Sequence, residues 1–376
     1  MSDDVGHSGS VISAQLRLRL GRGPAAGGRL SVPTSLEQLP EIPVVDVGVD
    51  FPRQTLELAM DRAHALIDGA TQGVPRPVLA GMDRLSRRWL VRSRNEYIDE
   101  IDALARRLGR PGAHFLSVSY EWGCTVGVGP SPDGRSARLV RTLDWFTPGL
   151  GRHVMAARIG GRAGPYVSLL WPGFVGILQA MAPGRFSAAL NQAPLRRLGG
   201  GVLALDWLVN KVGMWSRPHA PPIHVLRRVM EEARDYAEAR DMLIRTPLAT
   251  PATFTLAGMA PHETSVIERD ETDAHVIDGP ACATNHWQGL DHGAHPRGID
   301  SAGRLRAMSM AGPVELDPRF PWLRQPVLND LTRLAMVFDA AEGCIVAQGF
   351  EEDGPATRPL ELSMRRGTGA MPHAAE

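Results

Sequence analysis

Cysteine and lysine are the scarce residues of this 376-residue chain. There are three cysteines, at 124, 282 and 344, and one lysine, Lys211. An odd and sparse cysteine set is a poor disulfide framework and suits a reducing compartment, so a cytoplasmic protein is expected. Long apolar runs are missing too. The longest uncharged apolar stretch, from Val167 to Met181, is interrupted by Pro172, Gly173 and Gly176. A bilayer-spanning helix needs about 20 apolar residues, so this stretch reads as two buried strands and no integral membrane segment is expected. Net charge is also absent: Lys+Arg and Asp+Glu both number 41. Bulk electrostatics therefore points neither to nucleic acid nor to an anionic membrane. The first residues lack an apolar core of the signal-peptide kind, and 1–32 reads as a disordered, Gly/Ser/Ala/Arg-rich lead.

What is present is an ordinary globular composition, 43% hydrophobic and 22% charged, in a chain long enough to bury a large core. Ile42 to Val49 reads as an extended segment. Leu56, Ala59, Met60, Ala63, Leu66 and Ile67 recur at helical spacing, as do Val78–Trp89 and Tyr97–Leu108, so 33–123 is expected to be mostly helical. The pattern changes at Cys124. Strands are expected over Arg138–Trp145, His153–Ile159, Tyr166–Trp171, Phe174–Met181 and Phe186–Asn191, with Asp133-Gly134 as a two-residue hairpin signal. A helix starts near Ala204 after Gly199–Gly201, and one long amphipathic helix is expected from Ile223 to Arg245. Further strands follow at Thr253–Ala257, Ser265–Arg269, Ala274–Ile277 and Ala281–Asn285, then Leu334–Asp339 and Cys344–Gln348 around a hairpin at Ala340–Gly343. Helices first and strands later argue for an α+β layered fold.

Five short segments carry candidate chemistry: Gly123-Cys124-Thr125, Arg141–Trp145 with Asp144, Asn191-Gln192, Thr284–Trp287 with Asn285, and Asp300–Arg304. Taken singly, each has an ordinary explanation. A lone cysteine is usually a small buried apolar residue, an Arg and an Asp three apart form an everyday ion pair, and Asn at a strand end is a turn former. His286, His292 and His295 lie among Gly and Pro and do not match a zinc spacing. No metal or other cofactor is expected. Trp145, Phe174, Trp287 and Gln192 are candidate pocket residues.

The ordered series of these segments resembles the acid ceramidase / N-acylethanolamine acid amidase branch of the choloylglycine-hydrolase-like cysteine N-terminal-nucleophile enzymes. The resemblance runs from about residue 42 onward. It includes Val45–Pro52, Phe115–Glu121 with Tyr120-Glu121, Cys124-Thr125, Arg141–Trp145, Gly173–Gly176, Pro183–Ser187, Thr284-Asn285 and the Ala340–Gly343 hairpin. It implies a four-layer αββα sandwich and self-cleavage at Gly123–Cys124, giving a helical α-chain and a β-chain of 124–376 that form one globular heterodimer. The substrate implied is a small-molecule acyl amide, with transient contact to a lipid surface. By resemblance Cys124 is the nucleophile and its own α-amine the base. Arg141 steadies the thiolate, Asp144 holds the α-ammonium, Asn285 and secondarily Asn191 furnish the oxyanion hole, and Arg304 pairs with the carboxylate or orients the substrate. The residue types suit these roles. A free thiol titrates near about 8.5 and needs activation, whereas an α-amine near about 7.7–8.0 is well placed as a base. Gly123, without a Cβ, tolerates the strained geometry of scission. Where this branch has Asn-Glu, the chain has Asn191-Gln192, so its activation is expected to depend less on acid. Acyl transfer to an amine, a penicillin- or bile-salt-type amidase, and an unprocessed inactive binding homologue are the competing readings.

Overall fold

The computed structural model describes residues 36–118, 122–290 and 292–364. The disordered lead expected over 1–32 and the Tyr120-Glu121 pair lie outside these residues.

The chain opens with strand β1 (Val44–Gly48) and five helices, α1 (Arg53–Leu58), α2 (Met60–Ala70), α3 (Arg76–Arg92), α4 (Ile98–Leu108) and α5 (Ala113–Leu116). The periodic stretch over Leu56–Ile67 is two helices, because Ala59 leaves helical geometry at φ −146°. Helix α4 buries Ile101 and Leu104 and stops at Gly109, whose left-handed φ of 63° closes the last turn, a conformation glycine adopts without a Cβ penalty. Short α5 is held by carboxylates from its neighbours. Asp83 accepts the N–H groups of Gly112 and Phe115, and Asp102 meets His114 Nε2 at 2.7 Å. The chain is thus anchored a few residues before Gly123.

Strands β2 (Trp122–Pro130) and β3 (Ala137–Trp145) form a hairpin. Asp133-Gly134 lies at its tip, but the loop is six residues long, not two, because Ser131 Oγ gathers the N–H groups of Arg135 and Ser136. Then come α6 (Leu150–His153), β4 (Met155–Ile159), β5 (Tyr166–Leu170), β6 (Gln179–Ala182), β7 (Phe186–Gln192) and β8 (Leu195–Arg196). The strand expected over Phe174–Met181 begins only at Gln179. Gly173 has φ +74°, and a Cβ on Gly176 would sit 2.5 Å from Ile223 Cδ1, so the backbone there follows the neighbouring helix closely. Next are α7 (Leu203–Ser216), α8 (Pro222–Glu232) and α9 (Tyr236–Arg245). The single helix expected over Ile223–Arg245 is two, since the side chain of Asp235 accepts the Glu238 N–H and starts a new helix; that is the preferred work of an N-cap aspartate. The rest comprises β9 (Ala252–Ala257), β10 (Thr264–Arg269), β11 (Ala274–Asp278), β12 (Ala281–Ala283), β13 (Ala294–His295), α10 (Ser301–Ser309), β14 (Thr332–Asp339), β15 (Cys344–Glu351), β16 (Gly354–Pro355) and β17 (Leu360–Ser363).

Two large sheets result. One runs β1-β4-β5-β6-β7-β9-β10-β11, antiparallel except where β1 lies parallel to β4. The other runs β12-β2-β3-β14-β15-β16, with β17 also on β15. Their facing sides share one core, in which Cys124, Val126, Leu139 and Leu143 meet Ala188, Leu190, Phe254 and Leu256. Helices α8 and α9 cover the outside of the first sheet and α10 that of the second. This is the expected αββα sandwich, and each sheet keeps an apolar side away from water. The helical N-terminal segment is no separate body, because β1 is an edge strand of the larger sheet. No helix among the described residues is long and apolar enough to cross a membrane.

Candidate active site

Strand alternation builds the first contact. Cys124 and Val126 point into the space between the sheets, and Arg141, paired with Val126, points the same way. Arg141 is therefore the diagonal neighbour of Cys124, within reach of a long side chain. Its Nη2 donates to Cys124 Sγ at 2.9 Å, and its guanidinium also donates to the carbonyls of Leu178 and Leu190 at 2.6 and 2.5 Å. Arg141 is fully buried, and no carboxylate among the described residues pairs with it. A buried cation without a counter-ion is costly, and the thiol sulfur is the one group in its shell able to become an anion.

On the opposite face of β3, Asp144 lies across from Gly123. A Cβ on Gly123 would come 3.4 Å from Asp144 Cβ and 3.3 Å from Gly298 Cα, so the close packing needs glycine. Asp144 accepts from Thr332 Oγ1 at 3.0 Å and Asn329 Nδ2 at 3.1 Å, and Arg304 Nη1 stands 3.7 Å away. Arg304, on α10, donates to the Cys124 carbonyl at 2.5 Å, Thr125 Oγ1 at 2.9 Å and Asn285 Oδ1 at 3.1 Å. Asn285 Oδ1 in turn accepts the Cys124 N–H at 2.8 Å. The thiol, nitrogen and carbonyl of one residue are thus each held by a different distant side chain.

Burial pushes the Cys124 thiol up to about 11, with Asp144 adding to the rise while Arg141 and Arg304 oppose it. The thiol is therefore protonated near neutrality, and a further nearby cation or base would be needed to ionise it there.

The expected residues divide by location. Cys124, Arg141, Asp144, Asn285 and Arg304 form one cluster around the Gly123–Cys124 bond. The two asparagines are both tied to backbone carbonyls through their amide nitrogens. Asn285 Nδ2 is occupied by the Gln192 carbonyl at 2.8 Å. Asn191 Nδ2 is turned to the carbonyls of Ala283 and Thr284, both at 3.3 Å, leaving its buried Oδ1 without a partner. Buried amide N–H groups find backbone acceptors here; each Nδ2 carries two hydrogens, so the one bond from Asn285 Nδ2 leaves its second N–H uncommitted among the described residues. Gln192 Oε1 accepts the Trp122 N–H at 2.9 Å and steadies the strand just before the Gly123–Cys124 bond.

Trp145 and Phe174 line an apolar cavity of about 120 Å³ between α2, α4, α5 and the sheets, with Leu66, Ile101 and Trp171. An aromatic series Trp122–Trp145–Trp171–Phe174, with ring centroids 5.3, 5.8 and 6.0 Å apart, joins that cavity to the segment before Cys124. Gln192 lines a second cavity of about 80 Å³ with Trp122, Asn191 and Trp207. Trp287 belongs to the walls of neither. His292 contacts Asp270, His295 contacts Asp206 and His286 contacts Ser301; no metal-binding group of three ligands occurs among the described residues. Sequence reasoning missed Asn329, Thr332 and Ser301. Asn329 carries only a turn signal and the others carry none.

No protein-family model matches the chain. Among curated proteins it is similar to acid ceramidase of Homo sapiens, 28% identical over 182 residues, or 46% of this chain and 44% of that protein. It is 35% identical over 181 residues to that of Macaca fascicularis, covering 45% and 44% of the two chains. With that of Heterocephalus glaber it shares 36% over 104 residues, covering 27% and 24%. The chain spans less than half the length of the curated relatives it matches. A solved Caenorhabditis elegans ortholog of N-acylethanolamine-hydrolyzing acid amidase aligns at 23% identity and a TM-score of 0.46, covering 64% of this chain and all of that one. Over rather less than half of its length, then, the chain is similar to acid ceramidases.

Proposed function

We propose that the chain is an amidohydrolase for linear N-acyl amides, such as N-acylethanolamine- or ceramide-like lipids, with Cys124 as nucleophile after scission of Gly123–Cys124. One observation carries the reading: the sulfur, nitrogen and carbonyl of Cys124 are held by Arg141, Asn285 and Arg304 respectively. A cysteine that only fills space has no use for three such contacts.

In scission, Cys124 Sγ attacks the Gly123 carbonyl carbon and the peptide C–N bond breaks. Gly123 is left as a thioester on Sγ, the Cys124 nitrogen becomes an amine, and water releases the Gly123 carboxylate. The new amine sits where Asn285 Oδ1 already accepts a proton from that nitrogen. As a base near about 7.7–8.0 it takes the thiol proton, and Arg141 steadies the thiolate. The thiolate adds to the substrate carbonyl, the amine product leaves with a proton, and water cleaves the acyl thioester. Both pieces stay together because β1, from before the cut, is hydrogen-bonded to β4, from after it. The apolar cavity suits an acyl chain, and its walls come from both pieces.

Gln192 supplies an acceptor for Trp122 that does not titrate, so scission should vary little between about pH 4.5 and 8; a sharp acid optimum would sink that part. The whole reading is tested by N-terminal sequencing and an acyl-amide panel on wild type and Cys124→Ala. A new N-terminus at Cys124 and hydrolysis lost in the variant are expected. An intact 40.7 kDa chain inert to the panel would point to the binding homologue, and products captured by added amine rather than water would point to acyl transfer.

A further inference from the structure

We infer that Ser301 and His286 are a positioning pair that sets Asn285 and Arg304 on the nucleophile's backbone, an inference that rests on the proposed role of Cys124. Asn285 follows the end of β12 and Arg304 sits on α10, and only their mutual placement lets both reach Cys124. Ser301, buried in the first turn of α10, is where the two segments are joined. Its Oγ accepts the Asn285 N–H at 3.0 Å, and lies 2.8 Å from His286 Nδ1 and 2.9 Å from Thr284 Oγ1. Thr284 Oγ1 donates back to the Ser301 carbonyl at 3.0 Å. One helical turn further on, Arg304 Nη2 closes the loop by donating to Asn285 Oδ1, the same oxygen that receives the Cys124 N–H.

Proton counting gives the pair its chemistry. Ser301 Oγ already accepts from Asn285, and the Thr284 hydroxyl, which donates to the Ser301 carbonyl, also lies 3.1 Å from His286 Nδ1. In the neutral tautomer with its proton on Nε2, His286 Nδ1 is an acceptor facing both hydroxyls, and the Ser301 proton goes to it. Protonating the ring turns Nδ1 into a donor, diverts the Ser301 proton to Thr284, and makes Ser301 Oγ accept twice. It also places a cation in the field of Arg304. Glu268 is the carboxylate that acts on His286, but its oxygens are engaged by the N–H groups of Gln288, Gly289 and Leu290. Burial holds the His286 pKa below its ordinary 6.5, so the neutral arrangement is the one present near neutrality.

The experiment measures pH profiles of kcat and KM on a fluorogenic fatty-acyl coumarin amide for wild type, Ser301→Ala, Ser301→Thr and His286→Gln, with thermal melts of each. Displacing a reacting group by about 1 Å can cost about 100-fold. Ser301→Ala should therefore lose about 10- to 100-fold in kcat with KM nearly unchanged, and Ser301→Thr, which keeps the hydroxyl, should recover most of it. His286→Gln keeps a hydrogen-bonding group but cannot titrate, and should remove an acid limb seen in wild type below about pH 6.5. Wild-type kcat in a folded Ser301→Ala, or an unchanged acid limb in His286→Gln, would overturn the inference. If Ser301→Ala does not melt cooperatively, the other two variants decide. Should Cys124→Ala hydrolyse the amide as fast as wild type, the proposed function fails; should it be dead while the Ser301 and His286 variants match wild type, this inference alone fails.

Discussion

Cys124 and Cys282 lie on neighbouring strands of the same sheet, Cys282 opposite Gly127 and three residues along β2 from Cys124. Burial raises the thiol pKa of both. Cys124 faces the other sheet and has the Arg141 guanidinium at 2.9 Å. Cys282 faces outward towards Met308 and α10, where the Ser309 hydroxyl is the group that lowers its pKa. Burial alone therefore makes an inert thiol. The difference between a packing cysteine and the proposed nucleophile is the cation on the diagonal residue, and which side of the sheet each thiol occupies decides whether it meets one.

The largest expected effect separates the two outright. Cys124→Ala should abolish self-cleavage and lower hydrolysis on the order of 1,000-fold or more, while Cys282→Ala should stay within about twofold. Comparable losses in both, on a gel and a product assay, would end the comparison. Next comes Arg141→Met, which removes the cation but keeps most of the volume, and should cost about 100- to 1,000-fold in kcat. In the uncut chain, iodoacetamide labelling of Cys124 should rise only as pH climbs towards 11. Arg141→Met should push that rise still higher, because the cation favours the thiolate; a shift to lower pH would contradict the assignment. The same thiol links to stability. Its folded pKa lies above the value of about 8.5 for a free cysteine, so its contribution is complete below that pH and is lost as pH rises towards 11. Smallest is the converse change. Ser309→Arg adds a cation beside Cys282 at an exposed position and should speed its labelling near neutrality a few-fold, water screening keeping the effect modest. No change in labelling would mean that proximity to a cation is not enough.

Much of the sandwich was legible beforehand because its signals are local. The strands expected at Arg138–Trp145, Leu334–Asp339 and Cys344–Gln348 are β3, β14 and β15, and Gly343 marked the turn between the last two. The errors also had local causes. Asp235 capped a new helix inside a continuous amphipathic pattern, and Gly176 bent an apolar run around Ile223. At the site, Cys124 and Arg141 follow from one hairpin whose pairing places them diagonally. Thr332 and Asn329, which hold Asp144 from nearly 190 residues away, left no signal pointing to the site because a hydroxyl or amide at a strand end is common everywhere.

What the sequence determined by itself is the hairpin carrying Cys124 and Arg141, since the period of two and the turn residues put both side chains on one face. The glycine before the nucleophile was equally plain. Only the tertiary structure decided that Asn285 and Arg304 would take hold of the Cys124 nitrogen and carbonyl, and that Ser301 would join them. Those contacts span 161 to 180 residues of chain. They form only when two sheets and α10 bury their apolar faces together, and that packing belongs to the whole chain rather than to any window of it.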